Sequence, residues 1–318
     1  MKKLKEKKEK GVQSISLPPS LTFGEYAYST IEKQYRSILK QEPKVLADED
    51  PEHLHQMRVG TRRLRTALQV FAVAIDLPES ASQKRIGALA RILGGLRDLD
   101  VQTADLRETY RPQLEGSEKD QLDEVIKILT KKRRQAYAEV EKTFGQSRYR
   151  ELKNAYENWL ESPRYTPLAT LPIRTLLPDL LSPLLSELLL HPGWLVPADY
   201  SSMEDGETLH DLRKAFKHVR YQTEFFTSFY GKSFQEWVAD IKLLQEKLGK
   251  LQDNQVLQQL LAEHLPRQAD LPTLQSRIQQ TQSDVLSDWD EVRQRYLEPE
   301  FRYQLYQMLL NPDENNKN

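Results

Sequence analysis

His55, Arg58, Arg62 and Arg65 follow one another at i, i+3, i+7 and i+10. His210, Arg213, Lys217 and Arg220 repeat the series (55 to 210, a step of 155 positions). On a helix turning about 100° per residue, each series falls within a sector of about 80°. Such a row can recognise a multivalent anion. Arg offers a planar fork that meets phosphate oxygens in bidentate fashion. Lys adds a compact cation, and His a donor whose charge responds to pH near neutrality. A basic helix face usually meets water or the carboxylates of a neighbouring helix, and either row taken singly fits that reading. Two rows matched in spacing, each led by His, favour a binding site.

The surroundings of each row point the same way. Met57, Leu64, Leu68 and Phe71 form an apolar stripe about 120° away from the first row, and Leu212, Phe216, Val219 and Phe226 do so beside the second. A cationic face flanking a core face can line a groove between packed helices. No acidic residue occurs from His53 to Ile75, whereas Asp284 to Glu300 holds six. The net charge of −1 therefore hides a segregation of charge, which is the footprint expected when the partner is a polyanion.

Other chemistry has weaker support. The chain has no Cys, so disulfides and thiolate chemistry are excluded. His53 and His55 point about 200° apart on a helix, and His210 and His218 lie more than two turns apart, so neither pair suits one metal ion. No His-Glu-x-x-His, Asp-rich cation loop, Gly-rich phosphate loop or nucleophile elbow is present. The reading is of no catalytic residue, no metal ligand and no cofactor. Asp98 and Asp253, each following a Leu-Gly pair, read as polar anchors for the basic side chains. Tyr110, Tyr137, Tyr156 and Tyr221 read as core or interface residues.

The elements that must position these rows are helical. Gly is scarce (12 residues), Val/Ile/Thr alternation is rare, and helix-period segments dominate. The periodicity predicts helices over 22–41, 51–75, 81–110, 117–144 and 148–160. A Pro-punctuated stretch of short helices follows (163–197), and then helices over 207–230, 233–264, 271–297 and 301–310. Asp50-Pro51-Glu52 supplies a cap, a first-turn Pro and an acid, and Asp205-Gly206-Glu207 resembles it. The 155-residue step persists: Phe71 pairs with Phe226, Leu93-Gly94 with Leu248-Gly249, Leu96 with Leu251 and Asp98 with Asp253. This predicts a duplicated helical unit. The expected organisation is a Lys-rich tail (1–20), a first helical half (21–195) and a second (196–318). A charged fraction of 29% and a mean hydropathy of −0.68 describe a soluble chain. The N-terminal segment lacks the apolar core of a secretory signal. The Leu-rich stretch from Arg174 to Pro197 is too interrupted to span a bilayer. The expected setting is the cytoplasm, with no membrane partner.

The motif His55-x-x-Arg58-Val59-x-x-Arg62-Arg63-Leu64-Arg65-x-x-Leu68-x-x-Phe71 resembles the signature of the CHAD family, the conserved histidine α-helical domain. Leu93-Gly94-x-Leu96-Arg97-Asp98, Ser147-Arg148-Tyr149-Arg150 and His210-x-x-Arg213-Lys214-x-x-Lys217-His218-Val219-Arg220 are similar to its further blocks, in order. The resemblance implies an all-α fold of two pseudo-symmetric bundles meeting at a basic central cleft. It also implies binding of inorganic polyphosphate without catalysis, in association with polyphosphate granules. His55, Arg58, Arg62, Arg65, His210, Arg213, Lys217 and Arg220 would line the site, with Arg63, Arg97, Lys214 and His218 behind them. With no Glu-x-Glu-x-Lys motif and no strand-rich segment, the chain reads as a stand-alone version. Lys217 stands where the first half has Arg62, His218 where it has Arg63, and Gln252 where it has Arg97. The second half is therefore expected to bind more weakly or with a pH dependence. Protonation of His55 and His210 predicts affinity rising from about pH 8 to pH 6. Two rival functions stand beside this one, a metal-dependent phosphohydrolase and a nucleic-acid binder. The second lacks aromatic residues interleaved with the Arg positions.

Overall fold

The computed structural model describes residues 20–200, 202–265 and 271–312. Among them are eleven α-helices and no strand. They are α1 (Phe23–Ala47), α2 (Pro51–Val70), α3 (Gln83–Asp105), α4 (Gly116–Gly145), α5 (Ser147–Glu161) and α6 (Ile173–Leu189). The series continues with α7 (Met203–Thr223), α8 (Lys232–His264), α9 (Pro272–Leu286), α10 (Trp289–Leu297) and α11 (Pro299–Leu310). The predicted tail falls almost wholly outside the described residues. No described helix is long and apolar enough to cross a membrane.

Local chemistry sets the helix ends. Thr22 and Glu25 form a capping box on α1. The Asp50 carboxylate accepts from the Glu52 amide at 2.8 Å, and Pro51 opens α2 as predicted. The start predicted for α7 is corrected: Ser202 is the cap, its hydroxyl accepting from the Asp205 amide at 3.0 Å, so the helix begins before Glu207. Helix α2 stops at Val70, not Ile75. The stretch expected to hold short helices contains the seventeen-residue α6, with Pro178 and Pro183 inside it. Leu177, Leu181, Leu184, Leu185 and Leu188 recur at helical spacing there and are buried. Their burial outweighs the backbone bonds the two prolines forgo.

Two apolar clusters hold the helices together. The larger draws on α1, α2, α3, α5, α6, α7, α8 and the C-terminal helices. A smaller one joins Leu106, Leu122, Val125 and Leu129 to Leu257, Leu261, Leu274 and Ile278. Helix α2 packs on α1 and α3, α7 packs on α6 and α8, and α2 touches α7. Phe71 and Phe226 meet edge-to-face at 6.2 Å where α2 and α7 end. Trp194 lies flat on Tyr296 at 4.3 Å, and its indole donates to the Leu188 carbonyl. Gly193 lets this turn approach α7: a Cβ there would stand 2.8 Å from that of Leu212.

Candidate anion-binding site

The first row leaves α2 toward α3. Arg58 passes over Gly94 and pairs with Asp98 at 2.7 Å. Arg65 lies over Gly87, with its Nε 4.0 Å from where a Cβ would be, and is exposed. The second row repeats the geometry on α8. Arg213 passes over Gly249, 3.6 Å from a Cβ built there. Asp253, which follows as Asp98 does, attracts Arg213 and Lys217 without an ion pair to either. Asp98 therefore anchors its Arg as expected, while Asp253 makes no such bond among the described residues. Protein crowding and the nearby Asp105 raise the Asp253 carboxyl, although one side of it keeps contact with water.

Between the rows, cations meet. Arg62 lays its guanidinium over the Tyr221 ring, 4.2 Å from the centroid. Its Nε is buried without a hydrogen-bond partner, as is the Nε of Arg213. Lys217 is pushed down to about 8, first by burial and then by the charges of Arg213, Arg62 and Arg58. Burial likewise lowers the Arg62 guanidinium, with Arg220 and Arg58 adding to the effect. His55 is lowered by burial and then by Arg97, and His210 by burial and then by Lys214 and Arg213. His210 also holds its Nδ1 buried and unpartnered.

The remaining predicted residues are already engaged. Arg220 donates to Glu224 at 2.7 Å and to Gln245 at 3.1 Å, with its side chain 15% exposed. It was expected to face an anion freely; instead the carboxylate one turn on neutralises it. Arg63 reaches across to the same Glu224 at 3.7 Å, and Lys214 pairs with Asp211 at 2.6 Å. His218 sits between Gln222, Gln69 and Glu187. Among the described residues, Arg62, Arg65, Arg97, Arg213 and Lys217 have no carboxylate within ion-pair distance. No three His, Asp or Glu side chains converge there as metal ligands.

The sequence marked Tyr221 only as a core or interface residue, without its place under Arg62, and left Glu224 unmarked. Both were legible from spacing, since 221 and 224 fall on the helix face of Lys217 at i+4 and i+7.

The model of the CHAD domain matches residues 29–262, most of the chain and all twelve predicted site residues. The chain belongs to the CHAD domain family. Solved structures agree on the CHAD fold. The crystal structure of the CHAD domain from the plant Ricinus communis is 24% identical, with a TM-score of 0.59 over 94% of this chain and 95% of that one. PptA from Streptomyces chartreusis is 16% identical, with a TM-score of 0.57 over 89% of this chain and 99% of that one. No curated protein matches.

Proposed function

We propose that this CHAD domain binds inorganic polyphosphate in a basic cleft between α2 and α7, at the junction of two duplicated halves. Lys217 carries the reading. It stands beside Arg213, Arg62 and Arg58, and its pKa near 8 registers the cost of holding an ammonium there. A carboxylate in the protein would remove that cost, and no described carboxylate pairs with it. A ligand with closely spaced negative charges relieves the repulsion, replaces lost water at the buried Arg62 and Arg213 nitrogens, and releases counterions. From His55 to Arg65 the row rises about 15 Å along the axis, enough for several linked phosphates.

Duplication about a pseudo-twofold axis is supported by contacts that exchange under the 155-residue step. Arg63 meets Glu224, and the shifted pair, His218 and Gln69, also meets. A twofold demands such reciprocity. Phe71 touches its own counterpart Phe226, and the Thr273 amide donates to its counterpart Glu118 at 2.9 Å, so both contacts would straddle the axis.

The reading is of a binder, not an enzyme, in the cytoplasm beside polyphosphate granules. Its test is a competition titration, in which polyphosphate displaces an RNA of equal charge at least tenfold more effectively than the reverse. Equal competition would favour the nucleic-acid reading. Phosphate release on incubation with Mg²⁺ or Mn²⁺ would favour the hydrolase.

A further inference from the structure

A cavity of about 460 Å³ opens where the first turns of α3 and α5 meet the last turn of α4. Lys84, Arg85 and Arg91 enter it from α3 and Arg148 from α5. Glu79 at the rim is the one carboxylate among its lining residues. Among the described residues none of the four cations has an ion-pair partner. What sets these four apart is that they line one cavity together, with a single carboxylate among its lining residues.

The cavity reaches away from the proposed cleft, although Arg91 in its lining stands one turn from Gly87, over which Arg65 lies. Along α3, Arg85 lies about 20 Å from Asp98, the partner of Arg58. Nor is it a general property of this fold position. The cavity displaced by 155 residues, about 610 Å³, has Asp240 in place of Arg85 and Trp237 in place of Ser82, and Phe301 also lines it. There Asp240 is already bound by Arg295 at 2.6 Å and Tyr296 at 3.0 Å. One cavity is lined by cations without a described ion-pair partner, its counterpart by aromatic rings and an ion pair already made.

We infer that the α3–α5 cavity is a second anion site, which takes a compact cluster of phosphate groups. Four cations on two helices can surround such a cluster, with Ser82 adding a hydroxyl donor. The phosphates come either from a small soluble anion or from the far end of a long chain held in the cleft.

Equilibrium dialysis at low salt with inorganic tripolyphosphate tests the inference, because three phosphates are too short to bridge the two places. A protein whose cleft is reversed by Arg62→Glu and Lys217→Glu retains one tripolyphosphate site. Adding Arg85→Glu and Arg148→Glu weakens that site at least tenfold, and the milder Arg85→Gln and Arg148→Gln pair does so in part, with the fold checked by circular dichroism. If a chain end is the source, tripolyphosphate does not bind the cleft-reversed protein. In that case Arg85→Glu and Arg148→Glu in the otherwise native protein weaken long-chain polyphosphate at least tenfold and spare short chains. If both arms stay within about twofold of their parents, the site does not exist.

Discussion

Burial beside Arg213, Arg62 and Arg58 gives Lys217 its pKa of about 8, and this sets a pH signature. The free protein loses the proton as pH rises through 8, whereas a bound polyanion favours the cation. Affinity for polyphosphate should therefore fall between pH 7 and pH 9. Lys217→Arg keeps its charge throughout and should flatten the fall; dissociation constants at pH 7, 8 and 9 check it, and an unchanged slope assigns the effect elsewhere. The same group shapes stability. From about pH 8 to 10.5 the unfolded chain holds more protons at this residue than the folded one, so its contribution to stability rises with pH across that window. His55 and His210 behave differently from the expectation of rising affinity from pH 8. Burial and neighbouring cations lower both in the free protein, so the full gain from their protonation is reached only at more acidic pH. His55→Gln with His210→Gln should remove that acidic limb, measured by titration from pH 7 to 5. The row positions were legible because helical spacing alone dictates a face. Part of their neutralisation was legible too, since Asp98 was read as an anchor and Glu224 stands at i+4 from Arg220; the contact of Arg63 with Glu224 was not, because it depends on how α2 packs beside α7.

At the scale of elements, α7 is positioned by the turn before it. Gly193→Ala would place a methyl 2.8 Å from the Leu212 Cβ, which is fixed to the helix backbone. The substitution should cost about 1–3 kcal/mol, read by urea unfolding. Polyphosphate affinity of the folded fraction should stay within about twofold, since Leu212 faces the core and not the row. Most helices were legible from apolar periodicity and caps. The break of the predicted 271–297 helix into α9 and α10 was not. It arises because Trp289 is buried, donating to the Val196 carbonyl, while Lys247 holds Asp288. These long-range contacts have no local signature. Helix α6 was misread for the converse reason: its two prolines argue locally for breaks that burial of five leucines overrules.

For the whole molecule, the account predicts a site built from two helices far apart in sequence, each short of counter-charge. The five cations without a described carboxylate partner set the expected salt dependence. By analogy with single strands, log affinity should fall with log salt at a slope of about −3.5. The all-helical fold was legible from apolar periodicity, whereas the cavities and the ion pairs that distinguish residues 155 positions apart depend on packing between distant helices. The most direct measurement is polyphosphate affinity of the Arg62→Glu, Lys217→Glu protein against the native chain, by calorimetry at several salt concentrations. Both reversals fall on half-buried positions facing the opposite helix, so circular dichroism and unfolding curves must first show a native fold. At least a hundredfold loss is expected, with a shallower salt slope. A folded variant that binds within about twofold of the native chain, at an unchanged slope, would contradict a polyphosphate site between α2 and α7.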